Sequence, residues 1–147
     1  MKVKSVILMG VILLTLLSVC AVSADTIVME NYTFDIPDGY TIVENDTQLI
    51  LYNDDYVIYM YQGPILNPSV AKQNRLNKGF TLIDEKNYSS DGAIINQQNY
   101  FDDCLNSYVY TLEKNNKTYI ITLVFDGDEP ISELEDNPVD GIIDSLT

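Results

Sequence analysis

At 147 residues the chain holds one domain once an N-terminal leader is set aside, and its net charge of −14 argues against nucleic acid and anionic lipid surfaces as partners. It has no histidine and no tryptophan, which removes Ser-His-Asp and Cys-His catalysis and the commonest zinc ligand. The acidic residues are scattered as on a solvated face, a pattern that favours solubility and suits cationic partners or divalent ions.

Residues 1–24 have the parts of a secretory signal. Lys2 and Lys4 form a basic start, an apolar run follows from Val6 to Val19, and Val22-Ser23-Ala24 puts small residues before Asp25. An uncleaved anchor is the alternative, since Val6 to Val22 stands at the low edge of the ~17–25 residues that span a bilayer. A lipoprotein is a third reading, because Leu17-Ser18-Val19-Cys20 is close to a lipobox, with Val19 where the motif wants Gly, Ala or Ser. All 22 acidic residues follow the leader and Lys2 and Lys4 lie inside it, so the mature chain is two charges more negative still. Cys104 is the only cysteine after the leader, so the domain, residues 25–147, is held by its core rather than by an internal disulfide.

Period-two alternation of apolar residues then predicts a run of strands. Thr26 to Met29 turns at Glu30-Asn31 into Tyr32 to Ile36, which Pro37 stops for want of an N–H. Asp38-Gly39 turns the chain into a short extended stretch, Tyr40 to Val43. Thr47 to Tyr52 and Tyr56 to Gln62 pair around the polar turn Asn53-Asp54-Asp55. Gly63-Pro64 breaks the pattern. Asn67 reads as an N-cap and Pro68 as the first residue of a polar surface helix to Lys78, closed by Gly79. Phe80 to Ile83 extends that helix or forms a strand, Lys86 to Gly92 reads as a loop, Ala93 to Gln97 as a short strand, and Tyr100 to Asn106 as a lead-in.

Ser107 to Phe125 is the strongest signal, a hairpin whose arms meet at Glu113 to Lys117. Its second arm is apolar on both faces, which places it inside a sheet. Asp126 to Glu129 is an acidic turn, and Pro130 opens a short helical turn with Ile131 and Leu134. Asn137 caps a final helix with Pro138 at its first position. There Val139, Ile142, Ile143 and Leu146 form an apolar stripe that must dock on the sheet, because a helix this short, carrying Gly141 at a cost of ~1 kcal/mol, does not stand alone.

Phe34-Asp35-Ile36-Pro37-Asp38-Gly39-Tyr40 resembles the opening of small exported proteins with a PsbP/DcrB-like fold, which begin with a strand ending in an Ile-Pro-x-Gly-Tyr turn. Val139-Asp140-Gly141-Ile142-Ile143-Asp144-Ser145-Leu146 is similar to their closing helix, and the hairpin bearing Tyr119-Ile120-Ile121-Thr122 before it also fits. The layout further resembles short, sequon-bearing exported proteins of methanogenic archaea. The resemblance implies an α+β fold, an antiparallel β-sheet with one or two helices packed on it, and an accessory, assembly or envelope role with no catalytic motif to carry over.

The residues that bear chemistry each have a plainer reading. Asp126, Asp128 and Glu129, like Asp54 and Asp55, bring oxygen ligands suited to calcium, but no stretch has the EF-hand spacing. Cys104 follows Asp102 and Asp103, neighbours that disfavour a reactive thiolate, and reads as a half-buried structural thiol rather than a dimer link. Asn31, Asn45, Asn87 and Asn116 open glycosylation sequons, all at expected turns or loops. Tyr52, Tyr56, Tyr59 and Tyr61 either pack the sheet or offer rings to a sugar or a protein partner. The expected function is an exported, acidic, non-enzymatic binding or envelope accessory module, secreted or at the cell surface, without cofactor. Its partner would be an unknown protein or envelope component, with membrane contact only through an uncleaved leader. The alternatives are an ion-dependent, calcium-binding module or carboxylate-based hydrolase, and a surface-coating protein with no sizeable recess.

Overall fold

The computed structural model describes residues 26–29, 32–44, 48–63 and 67–147, so the leader and the sequons at Asn31 and Asn45 lie outside the described residues. The fold is α+β. A two-stranded ribbon, β1 (Thr26–Met29) and β2 (Tyr32–Asp35), precedes a seven-stranded sheet. That sheet consists of β3 (Thr41–Glu44), β4 (Leu49–Tyr52), β5 (Tyr56–Gln62), β6 (Thr81–Ser90), β7 (Ala93–Asp102), β8 (Leu105–Lys114) and β9 (Lys117–Asp126). The spatial order is β3-β4-β5-β9-β8-β7-β6, antiparallel throughout. Helix α1 (Pro68–Asn77) joins β5 to β6, and helix α2 (Pro138–Ser145) closes the chain. No described helix is long and apolar enough to cross a membrane.

The sheet is two meanders joined where β9 pairs with β5. Tight turns build the second meander. Asn115 and Asn116 have φ of 54° and 59°, and Asp91 and Gly92 have 41° and 76°. Both pairs are two-residue turns of the kind whose twist matches the flanking strands, and Asn, Asp and Gly accept positive φ at least cost. The β8–β9 connection is therefore shorter than the five residues expected, with Lys114 opposite Lys117.

The expected loop at Lys86 to Gly92 is instead the second half of β6, paired with β7 up to Ser90 opposite Ala93. β6 is an edge strand, and edges carry charged residues and irregularities that discourage further pairing. Asp84, Glu85 and Lys86 and a register shift between Leu82 and Asp84 fit that pattern, and they erase the alternation by which a strand is recognised. β7 likewise runs on to Asp102, so the stretch read as a lead-in is ladder. Between β5 and β6 the chain crosses four strand spacings, about 19 Å. α1, about 15 Å long, covers most of that distance. It starts at Asn67, whose side-chain oxygen accepts from Ser69 N at 2.9 Å, and Gly79 follows it at φ 95°. None of its side chains is fully buried. Its grip on the sheet is polar: Lys72 pairs with Glu85, Gln98 Nε2 donates to Pro68 O at 3.2 Å, and the Arg75 guanidinium lies 5.3 Å from the Tyr100 ring centre and 5.7 Å from that of Phe80.

The core lies on the other face. Leu49, Leu51, Ile58 and Met60 from the first meander and Tyr108, Tyr110, Leu112, Ile121 and Leu123 from the second are buried there, with Phe34 of the ribbon. α2 lays Val139, Ile142 and Ile143 onto this surface and its C-cap adds Leu146, all at most 2% exposed. Its N-cap is Asn137, which accepts from Val139 N at 3.1 Å. Its last carbonyls are met by a buried lysine: Lys114 Nζ donates to Ile143 O at 2.9 Å and Asp144 O at 3.1 Å, and to the Asp91 carboxylate at 3.1 Å. A cation at a helix C-terminus satisfies both the open acceptors and the dipole. Beyond the helix, Thr147 N donates to Thr33 O at 3.0 Å and ties the chain's end to β2.

The expected helical turn at Pro130 does not form. Sheet side chains satisfy the backbone there in place of helical bonds. Asn106, fully buried, donates to Glu129 O at 3.1 Å and accepts from Ile131 N at 2.8 Å. Tyr108 donates to Ile131 O at 2.8 Å and Asn99 to Ser132 O at 2.7 Å. Gly127 permits this approach, since a Cβ there would stand 2.6 Å from Asn106 Nδ2.

Two outcomes follow. Ile143→Asp puts an unpaired charge under α2 and costs more than about 3 kcal/mol, so the cooperative thermal melt is lost; an unchanged melt would contradict the docking. Asn106→Ala strands the Glu129 and Ile131 backbone groups and lowers stability in denaturant titration by about 1–3 kcal/mol, with little loss expected if that segment were held by its apolar side chains alone.

Candidate functional site

The β6–β7 hairpin, the segment before α2 and the outer side of α2 enclose a recess of about 320 Å³. Alternation on β6 turns Lys86 and Tyr88 toward it, and β7 contributes Ile95 and Gln97 directly opposite them. Glu133 and Leu134 come from the pinned segment, and Asn137, Asp140 and Asp144 from α2. A second, more open depression of about 570 Å³ lies against Asp35, Glu135 and Asp136, and Asn137 and Asp140 line both. Asp140 therefore stands on the ridge between two acidic hollows.

The floor of the recess is a hydrogen-bonded chain. Tyr88 OH donates to Gln97 Oε1 at 3.3 Å, and Gln97 Nε2 donates to Asn99 Oδ1 at 2.9 Å; Gln97 and Asn99 are both buried. Asn137 Nδ2 donates to Tyr110 OH at 2.6 Å while its oxygen caps α2. Ser90 Oγ donates to Asp144 Oδ1 at 2.8 Å, which fixes the helix against the hairpin. Lys86 Nζ lies 5.7 Å from the Tyr88 ring centre. Among the described residues it is the one cation lining the recess, against three acidic side chains.

Burial and the negative surroundings set the protonation states. The Tyr88 phenol is pushed up to about 12, first by desolvation and then by Asp140 and Asp144. Burial raises Tyr110 strongly as well. The Asp140 carboxyl is raised by burial and then by Asp144, one turn away, with Lys86 opposing. The recess thus presents acidic side chains, protonated phenols and amides. Such groups suit cationic and hydrogen-bond-donating matter.

The residues singled out in the sequence lie elsewhere. Asp126 ends β9, opposite Leu105, at the other end of the strands from the Asp91–Gly92 turn, and its Oδ1 is buried without a hydrogen-bond partner. Asp128 and Glu129 are exposed, as are Asp54 and Asp55. Among the described residues no three His, Cys, Asp or Glu side chains are placed to hold a metal ion. Cys104 is a free, half-buried thiol in the β7–β8 turn, and its carbonyl accepts from Gly127 N at 3.0 Å. Asn116 is in the β8–β9 turn, but Asn87 lies on β6 rather than in a loop. Tyr52 and Tyr59 pack with Val43, Ile50 and Val57 on the face opposite the core, Tyr56 meets Phe125 edge-on at 5.9 Å, and Tyr61 is 41% exposed, its ring against Gly63. Sequence reasoning missed Tyr88, Gln97, Glu133, Asp140 and Asp144 as a group. The available signal was Asp140 and Asp144 at i and i+4, like charges side by side on a helix.

Folding makes Asp140 easier to protonate than it is in the unfolded chain, so ionising it opposes folding as pH rises through the carboxylate range. In a carbon-detected NMR titration its midpoint should lie above the ordinary value of 3.8 and move back down in Asp144→Asn. A midpoint at or below 3.8 would refute this electrostatic reading. In comparisons with models of known protein families and with curated proteins, the chain matches none.

Proposed function

We propose that the chain is an exported, non-enzymatic accessory module of the cell envelope that takes a cationic partner into the recess beside α2. The observation that carries this reading is the recess itself: a concave site in which Glu133, Asp140 and Asp144 outnumber Lys86. A surface-coating protein has no need of such a hollow. The net charge of −14 adds long-range attraction for a positive partner, and complementary charge speeds encounter and selects among partners. The chemistry available is that of binding, because the phenol stays protonated and no histidine stands by to activate Ser89 or Ser90. The export reading rests on the composition of residues 1–24.

The finer fold assignment, a PsbP/DcrB-like layout, belongs to this proposal. It is supported by the Ile36-Pro37-Asp38-Gly39-Tyr40 turn, in which Gly39 takes φ 83°, and by a closing helix docked on an antiparallel sheet. Fold alone assigns no activity.

The test is a titration of the ¹⁵N-labelled protein with a lysine hexapeptide, and with a glutamate hexapeptide as control. Shifts should centre on the backbone amides of Glu133, Asp140 and Asp144, and salt should weaken them. Asp140→Asn should weaken binding about two- to fivefold, from the roughly 0.5–1 kcal/mol of one partly exposed charge contact. Shifts centred elsewhere, or affinity indifferent to Asp140→Asn, would reject the recess as the site.

A further inference from the structure

Of the sequons read from the sequence the structure describes two and separates them: Asn87 opens a motif whose Tyr88 and Ser89 line the recess, whereas Asn116 and Thr118 lie apart from it. Asn116 is the second residue of the two-residue β8–β9 turn, at φ 59°, and is exposed. Its side-chain amide enters no hydrogen bond among the described residues. A group attached to Nδ2 there projects off the end of the central hairpin and displaces no contact. Lys117 and Thr118 complete the motif as the first residues of β9, and the Thr118 hydroxyl donates to Gly63 O.

Asn87 has the same motif in a different setting. It sits within β6, opposite Asn96, with its sequon partner Ser89 also in the ladder. Its Oδ1 accepts from Asn96 Nδ2 at 3.0 Å. The same Asn96 amide reaches Glu85, which binds Lys72 of α1 and Gln98. A sugar on Asn87 has to share this face with the network that fastens α1 to the sheet.

We propose that, of the two described sequons, Asn116 is N-glycosylated and Asn87 is left bare. The inference rests on the export reading, since an acceptor meets the transferase only after the chain leaves the cytoplasm. The co-reactant is a lipid-linked oligosaccharide. The bond formed joins the anomeric carbon of its first sugar to Asn116 Nδ2. The bond broken is that between the same carbon and the phosphate oxygen of the lipid carrier, which leaves with the electron pair, and the proton lost from the amide ends on that released phosphate. Nothing is oxidised or reduced.

The test expresses the full chain, leader included, in a secretory host that carries the N-glycosylation pathway, with intact-mass measurement and glycopeptide mapping of fractionated culture. Exported protein with Asn116 occupied and Asn87 bare is the expected result. Asn116→Gly should remove the glycan on that turn and leave the thermal melt in place, because Asn-Gly suits this turn type at least as well as Asn-Asn. Exported protein with Asn116 bare, or with Asn87 occupied, overturns the assignment and leaves the export reading standing. Protein retained inside the cell with its leader uncut overturns the export reading and this inference with it.

Discussion

A sheet one layer thick must have its apolar face covered, and here residues 138–146 do much of that covering. Strands alone leave the side chains of Tyr108, Tyr110, Ile121 and Leu123 open to water, and such a surface folds only when another layer takes it out of solvent. α2 and its C-cap supply Val139, Ile142, Ile143 and Leu146 for the purpose. Burying a large aliphatic side chain is worth about 1.5–3 kcal/mol, so four of them outweigh any intrinsic reluctance of an eight-residue helix containing Gly141. Cys104 is free and no cross-link joins the described residues, which leaves this contact without a covalent substitute.

The polar groups around α2 convert that apolar contact into a fixed position. Asn137 caps one end and is itself held by Tyr110; Lys114 closes the other end and bridges to Asp91. Lys114 is nearly buried, and a lysine withdrawn from water without acceptors would be costly. Two helix carbonyls and a carboxylate meet it, so a one-turn slip of α2 would strand both the lysine and the carbonyls. The same logic holds the segment before α2, where Asn106, Tyr108 and Asn99 reach its backbone. Apolar burial thus supplies most of the energy, and these bonds select the register.

What could be read in the sequence divides along the same line. The elements whose signals are local were legible: the apolar alternation of β5 and β9, the Asn-Pro starts of both helices, and the stripe Val139, Ile142, Ile143, Leu146. The β6 edge was not, because a strand with one unpaired side is polar for reasons that depend on its neighbours rather than on its own period. The segment after Gly127 was misread for a related reason. Pro130 with Ile131 and Leu134 resembles a helix start, but its backbone partners lie on β7 and β8, 33 and 23 residues back in the chain. The candidate site depends on both of these segments. By its local pattern Tyr88 reads as loop and Glu133 as helical turn, so spacing alone does not bring them to Asp140.

The placement of Asp140 and Asp144 sets folding against the proposed binding role on a single helix. Their side chains stand one turn apart, and like charges at that spacing destabilise a helix by a few tenths of a kcal/mol. Partial desolvation adds to the cost at Asp140 and raises its pKa, although much of the residue stays exposed. The helix N-terminus favours a carboxylate in its first turn, which offsets part of the penalty for Asp140 but none of it for Asp144 near the other end. Lys114 meets the C-terminal carbonyls from beneath and leaves the outward carboxylate of Asp144 to Ser90 alone. A helix required only to cover the core could carry neutral residues at both positions with its buried stripe unchanged. The two carboxylates are therefore separable from the fold, and a cation entering the recess would relieve the repulsion between them as it bound.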